Sequence, residues 1–265
     1  MEIFKAIMIP TGLLFGIAAL FAVLLSALGK LMQVKGDEKA EQIAPLLAGA
    51  NCGGCGYPGC SGFAAALAAG KATVEACAAT SSENKIKIAE ILGASVTESA
   101  PTRVVVCCHG GNDSLDKYEY MGYGDCRSME LLAGGRKVCA WGCLGMGSCT
   151  DACHYHACEV GEKGYSEINE ALCVGCGACI RACPKKIIKR IPKDAKVYVA
   201  CSSRDKGKDV RAICKRGCIA CGACQRACPS GAITVIDNLA VIDYSKCTGC
   251  GLCHEKCPVK CIIAL

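Results

Sequence analysis

Cys218-Ile-Ala-Cys221-Gly-Ala-Cys224-Gln-Arg-Ala-Cys228-Pro229 and Cys247-Thr-Gly-Cys250-Gly-Leu-Cys253-His-Glu-Lys-Cys257-Pro258 decide how this chain is to be read. Each is a C-x2-C-x2-C-x3-C-P run, which gathers thiolates onto one tight loop as a metal–sulfur cluster requires and a disulfide does not. Where two such runs pair, the first three cysteines of each bind one cluster and the fourth crosses to the other. Cys257 is therefore expected beside Cys218, Cys221 and Cys224, and Cys228 beside Cys247, Cys250 and Cys253.

A third regular run, Cys173-x2-Cys176-x2-Cys179-x3-Cys183-Pro, lies upstream, preceded by the irregular Cys139-x3-Cys143-x5-Cys149-x3-Cys153. Residues 136–153 align without a gap on residues 211–228, matching Cys139 to Cys214, Cys143 to Cys218, Cys149 to Cys224 and Cys153 to Cys228. Apolar β-like runs ending in cysteine, Val104 to Cys108 and Val197 to Cys201, precede the two copies. The region thus reads as a duplicated two-cluster module. By the same crossing, Cys183 is expected with Cys139, Cys143 and Cys149, and Cys153 with Cys173, Cys176 and Cys179. The irregular run has His154 where a Pro follows the other fourth cysteines, and Met146 in the place of Cys221. A thioether cannot supply the anionic sulfur that cluster iron takes, which makes Cys139 the candidate replacement ligand and its repeat partner Cys214 dispensable.

Nearer the N-terminus stands Cys52-Gly-Gly-Cys55-Gly-Tyr-Pro-Gly-Cys60, followed by Cys77. Small residues between the thiolates let the backbone wrap a cubane and aim N–H groups at its sulfurs. Four thiolates would equally satisfy tetrahedral zinc. The company of the later runs favours five [4Fe-4S] clusters, with Cys52, Cys55, Cys60 and Cys77 holding the first.

The composition agrees. The 265 residues include 27 Cys and 31 Gly but only 1 Trp and 4 Phe, so the domains are organised around inserted centres rather than an aromatic core. Repeated cluster spacings, rather than scattered ones, point to thiolates in a reducing compartment. The formal charge of +6 counts every thiol as neutral. About twenty ligand thiolates and five clusters would bring the loaded protein to roughly −4, which removes the argument for a nucleic-acid partner.

Ile7 to Leu28 carries no charged side chain and is long enough for one transmembrane helix. Its n-region is not net positive and no cleavage site follows, which argues against a signal peptide. Lys30, Lys35 and Lys39 follow it while only Lys5 precedes it, so the single-pass anchor is expected in the cytoplasmic (inner) membrane with the remainder on the cytoplasmic side. The expected fold class is α+β: an anchor at 1–30, a small helical iron–sulfur domain at 31–94, a linker at 95–102, and two tandem ferredoxin-like modules at 103–195 and 196–265.

Cys107, Cys108, Cys126, Cys158, Cys201, Cys214 and Cys261 are left over and read as small hydrophobes beside clusters, with a further metal at Cys107, Cys108 and Cys126 as the other reading. His109, His154, His156 and His254 read as polar neighbours. No Gly-x-Gly-x-x-Gly after a strand, Walker A loop or nucleophile elbow is present, so the chain offers one-electron transfer and no catalytic site of its own.

A membrane helix, then C-x2-C-x4-C-x16-C, then ferredoxin motifs in this order resembles the B subunits of the Rnf ion-translocating ferredoxin:NAD oxidoreductase complexes, in an extended form with four C-terminal motifs. The resemblance implies electrons taken from reduced ferredoxin and passed to membrane partner subunits, in a complex that reduces NAD+ and moves Na+ or H+. It also implies that the ligands are the regular motif cysteines, with Met146 a departure. Two other readings are a stand-alone membrane-tethered polyferredoxin without ion coupling and a zinc-stabilised scaffold.

Overall fold

The computed structural model describes residue 8 and residues 14–26, 37–94 and 101–265. Residues 14–26 are helical and expose Leu14, Phe15, Leu20 and Phe21. Among the described residues no helix is long and apolar enough to cross a membrane. The span expected at 7–28 lies in part outside the described residues, as does most of the linker expected at 95–102.

The N-terminal domain is helical because its sequence supplies caps and apolar spacing on either side of the glycine-rich loop. Helix Glu38–Ile43 starts at Asp37, whose carboxylate accepts from Lys39 N–H. Helix Ser82–Leu92 is bracketed by Ser81, which accepts from Asn84 N–H, and by Gly93 at φ +66°, a conformation a side chain would strain. Helix Gly59–Ala68 lies between them, and Ile43, Phe63, Leu67, Val74 and Ile88 close the core.

Residues 101–265 contain four two-stranded antiparallel sheets. β1 (Thr102–Val106) pairs with β4 (Ile188–Pro192), and β2 (Cys158–Val160) with β3 (Ser166–Ile168). β5 (Val197–Val199) pairs with β8 (Ile262–Ala264), and β6 (Ile233–Ile236) with β7 (Leu239–Ile242). Each half thus joins its first strand to its last and carries a hairpin between. In each half two short helices, Ser148–Asp151 and Ala178–Ala182, then Ala223–Ala227 and Leu252–Glu255, begin directly after a left-handed glycine. That glycine reverses the chain between consecutive thiols of a run.

The halves pack through the outer sheets, where Val105, Cys107 and Ile191 meet Tyr198 and Ala200. Main-chain bonds cross the junction: His109 N–H to Ala200 C=O (3.2 Å), Leu115 N–H to Ile213 C=O (2.9 Å) and Lys215 N–H to Asp113 C=O (3.1 Å). The first half alone has a long insertion between Cys108 and Cys139. It carries helix Cys126–Leu131, capped by Asp125, whose carboxylate accepts from Arg127 and Ser128 N–H.

Candidate metal centres

In the C-terminal half the fourth thiol of each run lies in the wall of the other run's cavity. Cys218, Cys221, Cys224 and Cys257 line one small cavity, and Cys228, Cys247, Cys250 and Cys253 line another. The cause is local: Cys228 ends helix Ala223–Ala227 in extended backbone, so the chain leaves its own loop and delivers the fourth thiol to the other. Cys261 lies 3.6 Å from Cys257, and its hydrogen bond draws the Cys257 thiol down to about 5.

In the first half Cys143, Cys149 and Cys183 line a small cavity, and the fourth thiol in its wall is Cys126. Cys139, expected there, is not among the lining residues. The reason is the insertion: Cys126 opens the helix capped by Asp125, and its N–H is anchored on Ser148 Oγ at 2.8 Å, beside Cys149. Met146 packs against the cluster of Cys126, Met129 and Leu144. Cys139 is buried elsewhere; burial raises its thiol, and Cys108 and Cys214 are the neighbouring thiols that add to the rise.

Burial, followed by the nearby Cys52, Cys153 and Cys173, raises the Cys176 thiol, so Cys176 lies in electrostatic reach of both its expected partners and the N-terminal loop. Cys153 Sγ accepts from Ala157 N–H (3.3 Å). Ser166 Oγ bridges Cys149 (3.1 Å) and Cys158 (3.0 Å).

The N-terminal quartet Cys52, Cys55, Cys60 and Cys77 lines a small cavity whose wall also includes Cys176. Asn51 Oδ1 accepts from Cys60 N–H at 2.8 Å, and Thr80 Oγ1 donates to Cys77 Sγ at 3.1 Å. The contact with the first ferredoxin-like module is close. A Cβ on Gly54 would lie 2.8 Å from the Cys176 carbonyl oxygen, and Arg181 donates to Gly54 C=O at 3.3 Å.

None of the 27 cysteines is in a disulfide. Among the described residues no group of three or more His, Cys, Asp or Glu is drawn together for a single metal ion. The regular runs among the thiols that line these cavities have the spacing of a cubane site. Burial pushes the Cys143 thiol up to about 12 and the Cys201 thiol to about 12, which favours the neutral form of each in the absence of a positive partner. Two of the histidines have other partners: His109 stacks on Tyr165 and meets Tyr198 Oη at 2.9 Å, and His254 Nδ1 bonds Ile262 C=O.

Three family profiles match the chain: "Putative Fe-S cluster" over residues 47–79, "4Fe-4S binding domain" over 166–189, and "4Fe-4S dicluster domain" over 217–261. The chain is 39% identical over 259 residues to the B subunit of the Na(+)-translocating ferredoxin:NAD(+) oxidoreductase complex of Acetobacterium woodii, covering 97% of this chain and 78% of that protein. It is 42% identical over 235 residues to the B subunit of the ion-translocating oxidoreductase complex of Methanosarcina acetivorans, covering 88% and 89%. With the B subunit of the proton-translocating ferredoxin:NAD(+) oxidoreductase complex of Clostridium ljungdahlii it shares 35% identity over 233 residues, 87% of this chain and 82% of that one.

Proposed function

Because the chain belongs to the B-subunit family of ion-translocating ferredoxin:NAD(+) oxidoreductase complexes, we propose that its cysteine quartets form an ordered relay from reduced ferredoxin toward the membrane partner subunits. The chain is an electron-transfer subunit of such an oxidoreductase, and its 4Fe-4S domains are the means of transfer. Bound [4Fe-4S] clusters supply the one-electron chemistry. Everything else is the work of this chain's residues.

The observation that carries the reading is the set of cysteine quartets, four of which each line one common cavity. The ligands we assign are Cys52, Cys55, Cys60 and Cys77; Cys153, Cys173, Cys176 and Cys179; Cys126, Cys143, Cys149 and Cys183; Cys218, Cys221, Cys224 and Cys257; and Cys228, Cys247, Cys250 and Cys253. Cys126 thus takes the place that spacing gave to Cys139. Adjacent N–H and O–H donors, such as Ala157 on Cys153 and Thr80 on Cys77, stabilise the sulfurs' negative charge and tune the potentials. Cys176, in the wall of the N-terminal cavity, links the first two quartets.

The apolar run at 7–28 is the anchor in this reading, with Lys30, Lys35 and Lys39 holding the cluster domains on the cytoplasmic side. Residues 14–26 contain no ionisable side chain, so ion passage belongs to other subunits. Rapid mixing of the anaerobic, cluster-loaded full chain in detergent with a molar excess of reduced ferredoxin tests the donor. Bleaching of the chain's visible absorption is expected. A loaded chain that dithionite bleaches but ferredoxin does not would overturn ferredoxin as its donor.

A further inference from the structure

Four cysteines outside those five quartets meet where the two ferredoxin-like modules join. Cys108 follows β1 and Cys201 follows β5, while Cys139 and Cys214 each stand four residues before the first shared cysteine of the repeat. The two copies place them alike. Cys108 Sγ accepts the N–H of Cys143 at 3.2 Å, and Cys201 Sγ accepts the N–H of Cys218 at 3.3 Å.

The copies also approach one another here. A Cβ on Gly110 would lie 3.2 Å from Cys214 Sγ and 3.7 Å from Cys108 Sγ, so sulfurs from different modules flank one backbone position. Cys139 is in electrostatic reach of Cys108 and Cys214, and Cys201 of Cys108. Cys108, Cys139 and Cys201 are buried, and a backbone bridge between Ser114 and Cys214 fixes the fourth.

Packing alone does not account for the residue type. Where Cys107 stands beside Cys108 in the first copy, Ala200 stands beside Cys201 in the second, so a small apolar side chain serves at that position. At the two flanking positions both copies keep cysteine. Four thiols set between two cluster-binding modules suit the same chemistry as the quartets beside them.

We infer that Cys108, Cys139, Cys201 and Cys214 hold a sixth [4Fe-4S] cluster, shared between the two modules with two ligands from each. This rests on the relay reading and completes it. The Cys143 quartet and the Cys218 quartet lie in different modules, and each reaches the shared site through one N–H···S hydrogen bond from its own ligand residue. One electron enters from one neighbour and leaves to the other, with no net chemistry at the site. Without it the relay is interrupted at the junction. Of the 27 cysteines only Cys107, Cys158 and Cys261 then remain as packing residues.

The full chain, loaded and purified anaerobically, tests this through its iron and acid-labile sulfide, about 24 of each per chain for six clusters against about 20 for five. Cys139→Ser and Cys214→Ser should each lose about four iron, and the double variant should lose the same four rather than eight, because one site is shared. Cys107→Ser should keep the wild-type content. A wild-type count of about 20, full iron in the double variant, additive loss of about eight, or zinc in place of the missing iron would each overturn the shared cluster. A count of about 20 leaves the five-quartet relay standing, whereas absence of sulfide removes both.

Discussion

Lys137→Met tests how the junction between the modules is held. Lys137 is 1% exposed, and its Nζ donates to Gly111 C=O at 2.8 Å and Ser114 C=O at 3.1 Å while pairing with Asp116 Oδ1 at 3.0 Å. The same short segment carries Leu115 N–H to Ile213 and Asp113 C=O to Lys215, so one ammonium braces the loop that grips the second module beside Cys214. Methionine fills a similar volume without a donor. Gly111 C=O keeps a bond from Ser114 N–H at 3.2 Å and so loses little, about 1 kcal/mol. Ser114 C=O loses its lysine partner, about 2 kcal/mol, and the Asp116 pair adds well under 1 kcal/mol because that carboxylate is 44% exposed. A loss of about 3 kcal/mol in local opening energy corresponds to roughly 100-fold faster amide exchange at Leu115 and Lys215. Hydrogen-exchange mass spectrometry on the loaded chain reads this directly. Exchange within about threefold of wild type would refute the bracing role, as would an equal acceleration throughout the chain.

Other perturbations separate the remaining parts of the account. Gly54→Ala puts a Cβ 2.8 Å from the Cys176 carbonyl and 3.3 Å from Cys52 Sγ, so iron content should hold while electron exchange between the N-terminal domain and the rest slows; unchanged rapid-mixing kinetics would count against that contact as a route. Cys126→Ser should cost about four iron per chain from a quartet separate from the shared site, and its combination with Cys139→Ser should cost about eight; full iron in the single variant would return the fourth place to another thiol. Gly111→Ala drives a Cβ into Lys163 C=O and the Tyr165 ring at φ +36°, and should lower the thermal midpoint of cluster bleaching by an amount equivalent to more than about 2 kcal/mol. Iron removal should abolish the circular-dichroism signal of both modules, since cysteines make up over half of the second module's buried core; retained structure would show that packing suffices.

What was legible in the sequence was whatever lay within a run. The regular spacings fix which three thiols share a loop, and the Pro-terminated fourth position sends its thiol across, so the Cys218 and Cys247 sites follow from local geometry. Cys126 did not follow, because it comes from an insertion that the second module lacks and is positioned by a helix cap and a Ser148 contact distant in sequence. One signal was present. Cys139 and Cys214 share a register, and a register that is surplus beside the complete Cys218 set should be surplus beside the Cys143 set as well. Likewise the apolar runs at Val104 and Val197 read as strands, but their pairing with the last strand of each module is long-range, and spacing cannot report it. The junction thiols were invisible for the same reason: two modules must be packed together before their leftover cysteines become neighbours.

The most direct measurement is a metal and sulfide analysis of the anaerobically purified full chain, joined to electron paramagnetic resonance during a reductive titration. The account predicts iron and acid-labile sulfide in equal amounts, at least about 20 of each per chain, with paramagnetic signals that appear as the clusters take up electrons. A colourless protein holding stoichiometric zinc and little sulfide, silent throughout the titration, would contradict it.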